Sequence, residues 1–64
     1  MISGFIKMWK EAEGWGFIEG DDGDDYFVNI ANVRKGQNMQ TNIRVKFDVT
    51  QGHRGPEAEN VSLF

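Results

Sequence analysis

The stretch Ile43-Arg44-Val45-Lys46-Phe47-Asp48-Val49-Thr50 alternates apolar and polar residues without a break. Successive side chains of a strand point to opposite faces, so Ile43, Val45, Phe47 and Val49 share one face and the charged or hydroxyl residues share the other. A helix would need apolar residues both three and four apart, and this segment has no apolar pair three apart. The other segments read the same way. Ile2 to Lys10 is rich in aromatic and β-branched residues, and Trp15 to Glu19 and Tyr26 to Ile30 are shorter strands. Glu57 to Leu63 is the last, with Val61 and Leu63 facing inward. Gly and Asp in Gly20-Asp21-Asp22-Gly23-Asp24 suit a turn, as do Lys10 to Gly14 and Gln51 to Pro56. From Ala31 to Asn42 the pattern lapses into a short helical turn and a long loop. Five short strands with no useful amphipathic helix predict an all-β, closed or nearly closed barrel, one domain over residues 1–64.

A chain of 64 residues buries only about 60% of the surface its unfolded form exposes, so the core is thin. It has no cysteine, hence no disulfide framework and no thiolate metal site. No stretch is apolar enough for a signal peptide or a membrane span, and the expectation is a soluble, cytoplasmic protein. The formal net charge is −3, with acids concentrated at Glu11, Glu13, Glu19, Asp21, Asp22, Asp24 and Asp25. The second half is more basic, carrying Arg34, Lys35, Arg44, Lys46 and Arg54. This balance excludes a protein that holds nucleic acid by phosphate neutralisation alone, and it directs a polyanion to one side of the barrel.

Gly14-Trp15-Gly16-Phe17-Ile18 and Tyr26-Phe27-Val28-Asn29-Ile30 carry the functional signal. Paired antiparallel, these strands put Trp15, Phe17 and Phe27 on one face and Ile18, Tyr26 and Val28 in the core. Water-facing rings on a sheet are platforms on which unpaired bases stack.

These two segments resemble the paired ribonucleoprotein motifs of bacterial cold-shock proteins, usually a basic residue before Gly-Phe-Gly-Phe-Ile, and Val-Phe-Val-His-Phe. The likeness runs through Gly4, Lys7, the Asp21 to Gly23 turn, Asp25, Val45-Lys46-Phe47, Gly55-Pro56 and Asn60-Val61. It implies a five-stranded antiparallel Greek-key barrel, the oligonucleotide-binding (OB) fold, that binds single-stranded RNA or DNA. It also implies a role as an RNA chaperone or in cold-shock and transcription regulation, with no cofactor. The site it implies comprises Lys7, Met8, Trp9, Trp15, Phe17, Phe27, Asn29, Ile30 and Arg54. Trp15, Phe17 and Phe27 stack bases, Met8 and Trp9 extend the platform, Lys7 and Arg54 hold phosphates, and Asn29 can hydrogen-bond a base edge. The chain also departs from the family. Glu13 stands where the first motif usually opens with lysine, and Met8 replaces a surface tryptophan, with Trp9 following in place of phenylalanine. Asn29 replaces a stacking histidine and Ile30 a phenylalanine, and the long loop is two residues shorter and lacks its aromatic. Weaker binding than in a typical member follows, since each stacked base is worth about 1–3 kcal/mol.

Other readings carry less. Asp21-Asp22-Gly23-Asp24-Asp25 lacks the alternating ligands and distant Glu of a calcium loop, so it reads as a solvated turn with no metal. A lone His53, no cysteine and no Ser-His-Asp set argue against an enzyme. The rival function is a protein-interaction barrel whose aromatic patch binds a partner or a second copy. The Arg34 to Asn42 loop offers a hinge for strand exchange, so both a monomer and an exchanged homodimer fit the sequence.

Overall fold

The computed structural model describes residues Met1–Phe64. The strands are β1 (Ile2–Lys10), β2 (Trp15–Gly20), β3 (Asp25–Asn29), β4 (Arg44–Gly52) and β5 (Gly55–Leu63), with a 3-10 turn at Ile30–Asn32 between β3 and β4. They close into a barrel in the order β1-β2-β3-β5-β4. Neighbouring strands are antiparallel except β3 and β5, which meet in parallel at Phe27 and Glu57. A closed ring with an odd number of strands cannot alternate direction all the way round, so one parallel junction is a geometric necessity.

The expected strands are all present, with ends that shift for identifiable reasons. Tyr26 to Ile30 loses Ile30, because the Asn29 side chain accepts a hydrogen bond from the Ala31 amide at 2.9 Å and turns the chain into the 3-10 segment. At the other end β4 and β5 extend further than expected. Gly52 pairs with Gly55 across His53 and Arg54, and Gly55 has φ 97, which a glycine adopts without steric penalty in so tight a hairpin.

The core comprises Ile6, Ile18, Tyr26, Val28, Met39, Val45, Phe47, Ala58 and Val61. Val45 and Phe47 are fully buried, as the alternation predicts, but Ile43 is only half-buried and Val49 is exposed. Beyond Phe47 the fourth strand has left β1 and pairs with β5 alone, so Val49 lies on an edge strand and stays exposed while its partner Ala58 is buried. Tyr26 packs edge-on against Phe47, with ring centroids 5.2 Å apart, and its hydroxyl donates to Asp22 at 2.5 Å. Met39 reaches the core from the long loop before β4, where the sequence shows no apolar period. That loop is tied down by the Gln37 side chain, which accepts from the Leu63 amide at 2.6 Å, and by Arg34 donating its amide to the Val61 carbonyl at 2.9 Å.

Two bulges adjust which residues face inward. On β5 the register slips opposite Phe47, where Asn60 takes φ 55; the extra residue lets Ala58 and Val61, three apart, both face the core. On β1 the register slips between Ile6 and Met8, with Lys7 as the extra residue. This second bulge shapes the outer surface.

Candidate nucleic-acid interface

Before the bulge, Ile6 pairs with Ile18 and both are fully buried. After it, Met8 pairs with Phe17, Trp9 with Gly16 and Lys10 with Trp15. Paired residues share a face, so the outer surface acquires two rows running across the strands. One is Met8, Phe17 and Phe27, and the other is Lys10, Trp15 and Asn29. Trp15, Phe17 and Phe27 form a closed triangle of half-buried rings, with centroids 6.2 Å (Trp15 to Phe17), 5.9 Å (Trp15 to Phe27) and 5.8 Å (Phe17 to Phe27) apart. Edge-to-face contacts hold Phe17 against both partners, at interplanar angles of 88° and 76°. Such pairs contribute about 0.5–1.5 kcal/mol each beyond area burial, so the platform is braced before any ligand arrives.

Cations flank the triangle. The Arg54 guanidinium, on the β4–β5 hairpin, lies 4.9 Å from the Phe27 centroid, and the Lys10 ammonium lies 5.8 Å from that of Trp15. Lys7 projects from the bulge and donates to Asp25 at 3.0 Å. That hydrogen bond, and then the charge of Asp25, raise the Lys7 pKa, so the side chain stays a cation with a carboxylate as its present partner. Lys7, Met8, Phe17 and Asp25 together frame a shallow hollow of about 210 Å³ beside the rings.

The structure thus brings Lys7, Met8, Trp15, Phe17, Phe27, Asn29 and Arg54 to one face. It does not bring Trp9 there. The bulge turns Trp9 inward, where it packs on the core above Gly16, and a methyl at Gly16 would run into the Met8 carbonyl and the Trp9 ring. Ile30 also leaves the platform, since it sits in the 3-10 turn against Gly14. Together Trp9 and Ile30 line a separate cleft of about 470 Å³ with Glu11, Glu13 and Met39. Asn29 stays on the face, but its side-chain oxygen is committed to the Ala31 amide, leaving its amino group for a ligand. Two residues outside the site named from sequence join it: Lys10, whose charge alone does not decide between solvent and phosphate, and Asp25, a position of the family likeness, lie beside Trp15 and Lys7. The Lys10–Trp15 pairing was the available signal, hidden by the unforeseen bulge.

A small closed β-barrel with a braced, cation-flanked triangle of rings on its outer face belongs to the class of single-stranded nucleic-acid-binding barrels. Comparison with known proteins narrows the class. The family described as "'Cold-shock' DNA-binding domain" matches residues 2–64. Among similar proteins, "Cold shock-like protein CspC" of Bacillus cereus is 37% identical over 62 residues, covering 94% of this chain and 95% of its own. "Cold shock protein" of Arthrobacter globiformis is 38% identical over 66 residues, 98% of each chain. "Cold shock protein CspC" of Bacillus subtilis is 38% identical over 63 residues, 95% of this chain and 96% of its own. The chain belongs to the cold-shock domain family.

Proposed function

We propose that the protein binds single-stranded RNA or DNA by stacking unpaired bases on Trp15, Phe17 and Phe27, and that it serves as an RNA chaperone without enzymatic activity. The observation that carries this reading is the triangle of rings held on the outer face of the barrel with Lys10 and Arg54 at its margins. Every base has a π-face, so such a platform captures unpaired segments with little sequence preference. Lys7, Lys10 and Arg54 meet the phosphates, Met8 fills the gap beside Phe17, and the free amino group of Asn29 reaches a base edge.

Binding favours the unpaired state of an RNA by mass action. The protein therefore shifts misfolded hairpins toward open forms without an energy source, and rapid release lets the RNA pair again correctly. Three rings and few free cations set the affinity low, which suits a chaperone that must let go. No helix is long and apolar enough to cross a membrane. A cysteine-free barrel working on RNA fits the cytoplasm.

The test is a titration of oligo-uridine or oligo-thymidine followed by tryptophan quenching in the native protein. Fluorescence anisotropy of a labelled oligonucleotide covers Trp15→Ala and Phe27→Ala. Each substitution is expected to weaken binding at least about fivefold, the equivalent of one lost stack. Unchanged affinity in both variants sinks the stacking account. Association that strengthens with salt, together with concentration-dependent sedimentation, points instead to a self-association surface.

A further inference from the structure

The outer face does not end at the row of Met8, Phe17 and Phe27. Strand β1 is shared by two neighbours, and its outward Phe5 pairs with Glu19 of β2 on one side and Arg44 of β4 on the other. One step further along, Lys46 lies opposite Ser3. Same-face residues on a strand are about 7 Å apart, so the Phe17 row and that of Lys46 are two steps, about 14 Å, apart along the strands, and crossing β1 from β2 to β4 adds two inter-strand spacings of about 4.8 Å each. Above this corner stands Phe64, a residue 71% exposed. It has the Arg44 guanidinium 5.7 Å and the Lys46 ammonium 5.8 Å from its centroid.

We infer that Phe64, with Lys46 beside it, is a second stacking and phosphate-binding station, reached by a single strand that first occupies Trp15, Phe17 and Phe27. This rests on the reading of the aromatic face given above. Four features bear on it. A ring with a cation over it is the same pairing that marks the first platform, where Lys10 lies over Trp15 and Arg54 over Phe27. Two of the acids along the path are already balanced: Asp21 accepts two hydrogen bonds from Arg44, at 2.9 and 2.8 Å, and Asp25 holds Lys7, which leaves Glu19, opposite Phe5, as the one acid there without an ion-pair partner. Lys46 has no carboxylate partner, so its charge is free for a phosphate, whereas Arg44 is fixed by Asp21 and steadies the ring from below. Phe5, half-buried between the two stations, gives the strand an apolar surface to cross.

The extension makes affinity depend on oligonucleotide length in a way the first platform alone does not. A thymidine trimer supplies one base for each ring of the triangle, and an octamer is long enough to reach Phe64, within the range of about 4–16 nucleotides that one such barrel covers. Titrating both against Phe64→Ala and Lys46→Ala at low salt tests this. Each variant is expected to lose about fivefold or more in affinity for the octamer and to bind the trimer like the native protein. The inference is overturned if both variants bind the octamer within twofold of native, or if the trimer loses as much as the octamer. Phe27→Ala run alongside separates the two levels. If Phe27→Ala weakens the octamer while Phe64→Ala does not, only the second station falls. If neither does, the stacking reading falls with it. Both substituted residues are on the surface, and circular dichroism of each variant verifies the barrel.

Discussion

Arg54 has two partners to choose between, a ring and a phosphate, and its replacement separates them by their response to salt. In the free protein its guanidinium rests on Phe27 at 4.9 Å and has no carboxylate partner. At an exposed site such a cation–π contact contributes about 0.5–1 kcal/mol. Arg54→Ala therefore uncovers the Phe27 face for a base and at the same time removes one phosphate contact. The first effect responds little to salt, whereas the second is governed by counterion release. For single strands the slope of log K against log salt is about −0.7 per phosphate contact. Losing one contact makes the line shallower by about 0.7, so the deficit of Arg54→Ala at about 50 mM salt exceeds its deficit at about 500 mM by roughly fivefold. Because the uncovered ring returns some stacking, the variant matches or overtakes the native protein at the upper end. Anisotropy titrations of a labelled thymidine octamer across that range read both slopes. Arg54→Lys is the control, because it keeps the charge and loses the planar stack. Its line should stay parallel to the native one. Parallel lines, or a gap that widens with salt, for Arg54→Ala would refute the phosphate role, and a deficit that persists at about 500 mM salt would refute the cation–π cover.

Glu13→Lys replaces a repulsive charge in the β1–β2 turn, moving the formal net charge from −3 by two units. Titration of the same octamer should show affinity several-fold higher at low salt and a slope steeper by about 0.7. The Asp22–Tyr26 hydrogen bond predicts a pH effect on stability. It pushes the Tyr26 pKa up to about 12 and, as the leading cause, holds the Asp22 pKa below the usual carboxylate value. A lowered carboxylate pKa contributes stability that is fully present above the unfolded value of about 3.9 and is lost as pH falls through the folded one. The raised tyrosine contributes stability present below about 10 and lost as pH rises through about 12. Tyr26→Phe should move the Asp22 carboxyl resonance to titrate at higher pH and flatten the acid limb of the stability profile. An Asp22 titration identical in the two proteins would count against that bond.

Much of the barrel was legible because burial imposes alternation on strands. Val45 and Phe47 in β4, and Ile18 against Trp15 and Phe17 in β2, announce their faces by parity alone. The platform triangle followed from the same rule. What escaped were the places where parity breaks. The Lys7 bulge and the Asn60 bulge each depend on strand pairing between distant segments, which no local pattern encodes. Trp9 was accordingly assigned to the platform when it lies beneath it. Met39 was invisible because a lone methionine in a polar loop has no period, and its burial depends on Gln37 and Arg34 anchoring the loop to β5. Ile30 left its strand because Asn29 caps a turn, a role that competes with the strand and that its sequence context did not reveal. Lys7 was foreseen as a cation at the site, but its hydrogen bond to Asp25 belongs to the folded barrel.

The single extra residue in β1 bears on how this surface can evolve. It determines that Met8 faces the ligand and Trp9 the core. Were β1 to keep all its residues but run without the bulge, Lys7 would pair with Phe17 and the two would exchange, sending the indole outward and the thioether inward without altering either side chain. The ring content of the face is thus held in the backbone as well as in the alphabet. A change that straightens the strand at this point is a larger step toward or away from base binding than most substitutions, and aligning such chains residue by residue, without regard to strand parity, would miscount their binding rings.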